Sequence, residues 1–268
     1  MAAWWDWLLP VTWGLTGAAA YVGAARRYRR LRLRRWPVRR SLAWGAGVLL
    51  LVAAVAPPLE RSADQAVAHM AQHLLLGMYA PVLLVLGAPV TLLLGVVDGR
   101  TRHDVVRVLH SRTAAVLGHP ATAGVLHVGG LLVLYLTPLY ALSLRSDAVH
   151  LVVHVHFLLA GTLFAWSVAG PDPAPGRPGL LARVGVLVAA GAVHSSLAKF
   201  LYSRAGDLPP GAGHSVTESQ EAARWMYYGG DLGELFLAVA LFAGWYRMAG
   251  HRHRRATRSA AAVGRASG

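Results

Sequence analysis

The chain has 268 residues, of which 55% are apolar and 14% charged, and its mean hydropathy is +0.44. This composition is typical of a polytopic membrane protein and excludes an ordinary soluble domain. The formal net charge is +14, but 25 of the 26 basic residues are arginines gathered mostly into short blocks between apolar runs. That arrangement fits membrane topology and anionic lipid head groups, and it argues against nucleic acid as a partner.

Seven apolar segments have the length expected of membrane-spanning helices. They cover approximately residues 8–25, 41–57, 66–95, 120–137, 148–169, 180–203 and 229–249. In the third, Pro81 and Pro89 predict a broken or re-entrant end. The first follows an N-terminus without basic residues, so we interpret it as a retained span. The sequence therefore predicts an all-α bundle of seven transmembrane helices over 1–250 and a basic, disordered tail over 251–268.

The arginines lie mainly on one side of this seven-span arrangement. Counting by loops, 21 fall on the side that contains 26–40, 100–112, Arg177, Arg183 and the tail from Arg247. The opposite side has only four, which are Arg61, Arg145, Arg204 and Arg224. By the positive-inside rule the N-terminus is outside and the C-terminus is cytoplasmic.

Histidines recur at a spacing of four residues inside two of the apolar segments. His69 and His73 lie in the third segment and His150 and His154 in the fifth, so each pair shares one helical face, as two ligands of one metal ion do. At about 1.5 Å per residue, both pairs and His194 of the sixth segment reach a similar depth below the outer surface. We predict that these five imidazoles converge on a metal, since neutral imidazole suits copper, zinc and iron. The alternative is that they hydrogen-bond across helices and bind nothing.

Four nearby groups have weaker claims to a role at this site. Asp147 precedes His150 by one turn, and either orients that imidazole or marks the end of the span. Met70 is a candidate thioether ligand for Cu(I) or a gap-filling apolar side chain. His156 points away from the shared face and is expected to contact another helix. His127 lies near mid-membrane, where structural, proton-relay and ligand roles are all open.

Three charged groups also lie at the level of the spans. Lys199 is expected to extend its ammonium toward the membrane surface or to form an ion pair. Asp231 and Glu234 begin the seventh segment as boundary residues, as partners of Lys199 or as cation ligands. His214 lies in an outer loop and is expected to be exposed to water.

Several motifs resemble the CtaG-like family of cytochrome c oxidase assembly proteins. They are His69-Met-Ala-Gln-His73-Leu-Leu-Leu, Leu86-Gly-Ala-Pro89, Thr137-Pro-Leu-Tyr140, His150-Leu-Val-Val-His154-Val-His156-Phe and Met226-Tyr-Tyr-Gly-Gly-Asp231. The resemblance runs from about residue 40 to 248. It implies a bacterial plasma-membrane protein of seven spans that takes part in copper supply to haem-copper oxidases. The implied partners are cytochrome c oxidase subunits and other copper-delivery proteins, and the implied functional residues are the histidines of the third, fifth and sixth spans.

The leading hypothesis is therefore a non-catalytic assembly factor that binds copper, as Cu(I) or Cu(II), through the outer-leaflet histidines. One alternative is an intramembrane hydrolase acting on lipid, in which three histidines hold zinc and a carboxylate activates water. Another is a haem-binding electron carrier with two axial histidines. The last is an interaction scaffold without metal.

Overall fold

The computed structural model describes residues 7–60 and 65–266, with the backbone alone for Pro58, Glu60 and residues 251–266. Within these ranges the chain is helical and contains no strand. Arg61 of the orientation argument and the N-terminal residues before Trp7 lie outside the described part of the chain.

Thirteen α-helices follow one another in the described ranges. They are α1 (Leu8–Arg32), α2 (Val38–Ala54), α3 (Pro57–Glu60), α4 (Gln65–Leu74), α5 (Ala80–Leu86), α6 (Pro89–Val96), α7 (Gly99–Leu109), α8 (Arg112–Leu117), α9 (Pro120–Leu136), α10 (Leu139–Arg145), α11 (Asp147–Ala169), α12 (Leu180–Ser203) and α13 (Val216–Ala266). Each predicted apolar segment corresponds to one long helix or, for the third segment, to the run from α4 to α6.

Five helical runs of the described chain are long and apolar enough to cross a membrane. They are Leu8–Arg32, Gln65–Val96, Asp147–Ala169, Leu180–Ser203 and Val216–Gly250. A sixth forms if α9 and α10, which meet at a bend of 78°, count as one broken span. The 17-residue α2 is not among them. This is the architecture of a multi-pass membrane protein.

The third segment is interrupted at the two prolines that predicted its break. A π-helical turn, Leu75–Tyr79, joins α4 to α5, and Pro81 follows in the first turn of α5, where its missing N–H is best tolerated. Farther on, the helix is interrupted at Ala88, which has a left-handed φ of 54°, and Pro89 starts α6. The broken end expected from sequence is therefore confirmed, although the chain remains helical on both sides of Ala88.

The last helix is longer than its apolar segment. The helix begins at Val216, whereas hydropathy placed its start at residue 229. Hydropathy missed the first turns because their charged side chains are exposed and only small or apolar ones are buried, among them Ala222, Ala223 and Met226. Its backbone also continues to Ala266 through most of the predicted tail. Residues 267–268 lie outside the described chain, and the disorder of the tail stays a prediction.

The helices pack around the contact of the third segment with α11. Gly161 of α11 lies against the backbone carbonyl of Gly77, which brings the two backbones together as small residues do in membrane bundles. α12 packs on α13 and α9, on another side of this contact. α1 is fixed to the break before α6 because the Tyr21 hydroxyl donates to the Gly87 carbonyl at 2.7 Å. α2 packs on α5, and α1 packs on α2 and α6, so these two helices form one flank of the bundle.

Candidate metal centre

The two histidine pairs meet where α4 faces α11. Within each pair the imidazoles are neighbours: His69 Nε2 is 2.8 Å from His73 Nε2, and His150 Nε2 is 3.0 Å from His154 Nε2. Between the helices, the ring centroid of His69 lies 5.6 Å from that of His150 and 6.2 Å from that of His154. The convergence of the third and fifth spans, predicted from spacing and depth, is present in the structure.

Three of these residues form a compact donor set. His69, His150 and His154 each offer a ring nitrogen, and the three nitrogens lie within 4.8 Å of one another. Tetrahedral ligation with metal–nitrogen bonds of about 2.0–2.1 Å places ligand nitrogens about 3.4 Å apart, so modest rotations of these rings reach it. His73 is not part of this set: its Nε2 lies against His69 Nε2, and its ring centroid is 6.1 Å from that of His154.

The donor chemistry of this cluster fits copper or zinc. In each pair of neutral imidazoles one Nε2–H donates to the lone pair of the other Nε2. If the donor ring instead carries its hydrogen on Nδ1, both Nε2 atoms present lone pairs to a cation and no proton is lost. Within the described chain, the Nδ1 of His73 is buried without a hydrogen-bond partner, so that ring is not committed elsewhere. Because cysteine is absent from the sequence, the ligands available to a soft metal are imidazole and thioether.

The cluster opens sideways onto a groove of about 1120 Å³. α1 and α2 form one wall, with Trp13 and Val52 among its apolar side chains, and α4 and α11 form the other. His69 is 4% exposed, whereas His150 and His154 are half-buried at the groove. Asp147 lines the same groove and is exposed at its outer end. A carboxylate and three imidazoles therefore face one space between helices.

An aromatic layer covers the cluster from the other side, and sequence reasoning did not identify it. The ring of Tyr140 meets His69 edge-on at 4.8 Å, and Phe157 meets His73 at 4.4 Å. The Tyr140 hydroxyl lies 3.0 Å from Nε2 of His214, so this histidine is bonded and half-buried instead of exposed as expected. In the sequence, the feature that could have identified Tyr140 is its position just after the helix break at Thr137-Pro138.

His194 does not join the four histidines. It lies between α12 and α13, with its Nδ1 3.9 Å from Glu234 Oε1, and it lines a small cavity together with His127. Gly230 and Gly191 leave the space that the side chains of His194 and Glu234 occupy. The prediction of one five-histidine site is corrected here: α12 packs against α13 and α9, which places His194 in a second polar cluster.

The remaining candidates have individual contacts outside the four-histidine cluster. Met70 is buried and accepts a hydrogen bond from the Tyr135 hydroxyl at 3.8 Å, in the apolar core. His156 Nε2 lies 3.2 Å from the Leu126 carbonyl of α9, as expected of a side chain turned to another helix. The His127 ring stacks on Phe164 at 5.2 Å.

Two of the predicted charged groups also have defined partners. The Lys199 ammonium lies 5.1 Å above the ring of Tyr227, and the side chain is exposed. Asp231 accepts a hydrogen bond from the Ser195 hydroxyl at 2.8 Å. Asp231 and Glu234 therefore belong to the α12–α13 contact and to the second polar cluster.

The sequence is similar to a known protein family and to several mycobacterial proteins. A sequence model of the family described as cytochrome c oxidase caa3 assembly factor matches residues 19–248. Uncharacterised proteins of Mycobacterium bovis and Mycobacterium tuberculosis are each 38% identical to the chain over 193 residues, which is 68% of this chain and 29% of the relative. One of Mycobacterium leprae is 36% identical over 168 residues, 60% of this chain and 26% of the relative. The chain thus spans less than a third of the length of these relatives, and no solved structure matches it.

Proposed function

The chain belongs to the family of cytochrome c oxidase caa3 assembly factors, and we propose that it assembles the oxidase by binding copper at the four-histidine cluster and supplying it. The observation that carries this proposal is the donor set of His69, His150 and His154, whose nitrogens lie within 4.8 Å of one another. Copper is the cargo here and not a resident cofactor. The role is non-catalytic, because delivery needs a ligand set that binds and releases an ion without transforming a substrate.

The proposed topology supports delivery outside the cytoplasm. The 17 residues of α2 fall at the lower end of the range of about 17–25 residues for a spanning helix. Counted with the five long runs and the broken span of α9 and α10, α2 makes seven spans. With the arginine-rich loops on the cytoplasmic side of a bacterial plasma membrane, the histidine cluster faces the outer leaflet. The acceptor is an oxidase subunit, and other copper-delivery proteins are the donors that load the cluster.

The direct test is the metal content of the full chain, purified in detergent without a polyhistidine tag. Copper, zinc and iron are measured by elemental analysis in the wild type, in a variant carrying both His150→Ala and His154→Ala, and in His156→Gln. His156 is a matched control because it lies on the same helix and bonds to α9. In parallel, cells whose own copy of the chain has been deleted are complemented with the wild type or with each variant, and the oxidase activity of their membranes is measured.

About one equivalent of copper in the wild type and the control, lost in the double variant together with oxidase activity, is the expected result. A chain that binds no copper even when copper is added would overturn the proposal and favour a scaffold without metal. Iron in equal amount would favour the haem carrier.

A zinc-dependent hydrolase acting on lipid is the second candidate function. It is favoured by Asp147, because this carboxylate lines the same groove as the three histidines and the groove opens between helices. Zinc in place of copper, with Asp147→Asn abolishing lipid hydrolysis but retaining the metal, would move this function to first place.

A further inference from the structure

A second groove, which shares no lining residue with the groove at the four-histidine cluster, lies at the arginine-rich end of the bundle. Its volume is about 630 Å³, with α2 and α13 as its sides and α5 as its floor. The lining is apolar along most of its length, with Val82 and Leu86 of α5 and Phe236 and Val239 of α13. Between the lining residues Gly233 and Arg247, α13 rises about 21 Å at about 1.5 Å per residue, which exceeds half of a hydrocarbon core about 30 Å thick.

Arginines from four parts of the chain surround one end of this groove. They are Arg39 and Arg40 of α2, Arg177 of the 170–179 turn, Arg183 of α12 and Arg247 of α13. None of the described residues that line the groove is Asp or Glu. Trp245 stands at the same end, at the level where tryptophan marks the membrane interface. The groove is thus basic at the interface and apolar toward mid-membrane.

Arg183 is buried and Arg177 is half-buried, and neither has a carboxylate partner among the described residues. Arg183 is 7% exposed and donates from Nη1 to the Val168 carbonyl at 3.0 Å. Arg177 donates to the carbonyls of Gly170 and Trp166 at 2.6 and 2.9 Å. The Nε of each guanidinium is buried with no hydrogen-bond partner in the described chain. Carbonyl dipoles satisfy part of these groups, and neither guanidinium forms a salt bridge within the described chain.

The carboxylate of Asp172 is close by, but its hydrogen bonds go to the start of α6 and not to the two arginines. Its carboxylate oxygens accept the amide hydrogens of Val90 and Thr91 at 3.1 and 2.7 Å, at the start of α6. Burial, and next the charge of Arg183, lower the pKa of Arg177 to about 10, against a smaller opposing effect of Asp172. Positive charge is therefore held at this end of the groove at an electrostatic cost that an anion would offset.

We propose that this groove binds one anionic phospholipid of the arginine-rich leaflet. The phosphate contacts Arg177, Arg183 and Arg247, and an acyl chain lies along Phe236 and Val239. Guanidinium groups recognise phosphate oxygens with paired hydrogen bonds, and basic pockets between transmembrane helices select anionic head groups. This site is independent of the copper-delivery proposal.

The test measures lipid binding to the purified full chain by native mass spectrometry and by thermal stability. The probes are phosphatidylglycerol, phosphatidylcholine and inorganic phosphate. A rim variant carries Arg39→Gln and Arg247→Gln. These two arginines are exposed, and their replacement leaves Arg177 and Arg183 in place. Arg112→Gln is the matched control, an exposed arginine of α8 outside the groove. Ala240→Phe fills the apolar part of the groove and retains every arginine.

Phosphatidylglycerol should bind and stabilise the wild type and the Arg112→Gln control, with phosphatidylcholine at least about tenfold weaker. The rim variant should lose about tenfold or more in affinity for phosphatidylglycerol, and Ala240→Phe should lose binding with its arginines present. Equal binding of the two lipids, or a rim variant that behaves as the control, would overturn the proposal. Stabilisation by inorganic phosphate alone, with no further gain from lipid, would overturn it as well.

Discussion

The Cα of Gly161 lies so close to the carbonyl oxygen of Gly77 that a Cβ at position 161 would overlap this oxygen. Gly77 is one turn beyond His73, and Gly161 is about two turns beyond His154. The contact fixes the separation of the third segment from α11 just below the histidines. Two glycines without metal-binding chemistry thus set the distance between the two histidine pairs.

Gly161→Ala should destabilise the protein by about 1–3 kcal/mol, since the added methyl group forces the two backbones apart. The copper bound per chain should fall with it. Gly185→Ala is the control, because a Cβ at position 185 of α12 meets no atom within 4 Å. Thermal unfolding in detergent compares the two, and equal melting temperatures would show that α11 can move away from Gly77 without cost.

His194→Ala should leave the copper content of the purified chain unchanged, whereas His154→Ala should lower it. The reason is position: His194 faces Glu234 in the second polar cluster, while His154 supplies one of the three convergent nitrogens. Elemental analysis of the two variants decides the matter. Equal loss of copper in both would restore the single five-histidine site that sequence alone predicted.

Tyr140→Phe should cost about 1 kcal/mol of stability, because it removes the contact with His214 and keeps the ring against His69. Tyr140→Ala should cost about 3–5 kcal/mol, since it opens a cavity beside the cluster. Denaturation in mild detergent measures both losses. If the Phe variant were as unstable as the Ala variant, the hydroxyl of Tyr140 and not the packing of its ring would account for the stabilisation.

Asp172→Ala should destabilise the chain by about 1.5–3 kcal/mol or more, because it leaves two amide hydrogens at the start of α6 without their buried carboxylate. Asp98→Ala is the natural comparison. Asp98 accepts the Thr101 amide hydrogen at the start of α7, but it does so at the exposed surface, where water replaces it. A similar loss of melting temperature in both variants would contradict the role given to burial.

Hydropathy and helical periodicity were sufficient to predict the helices and the two histidine pairs. Both properties are local: an apolar run of spanning length gives a helix, and a spacing of four gives a shared face. The order of the helices around the bundle depends on contacts between residues that are distant in the sequence. The prediction therefore relied on depth alone, and it grouped His194 with His69. The helical start of α13, residues 216–229, was not predicted. It is amphipathic and mixes Glu218 with Ala222, so its average hydropathy is low.

The aromatic partners of the cluster were missed for a related reason. Tyr140 reaches His69 only because the chain bends by 78° between α9 and α10. The proline after Thr137 marks the bend, but its direction depends on how α10 packs against α11 and α9. No residue pattern within α10 specifies that direction.

The histidines face the flank formed by α1 and α2 and not the axis of the bundle. Under the proposed function, an ion that enters from this flank does not have to pass between α11 and the third segment, so its exchange requires no opening of the glycine contact. The contact of α11 with the third segment would then preserve the coordination geometry, while α1 and α2 would limit access to it.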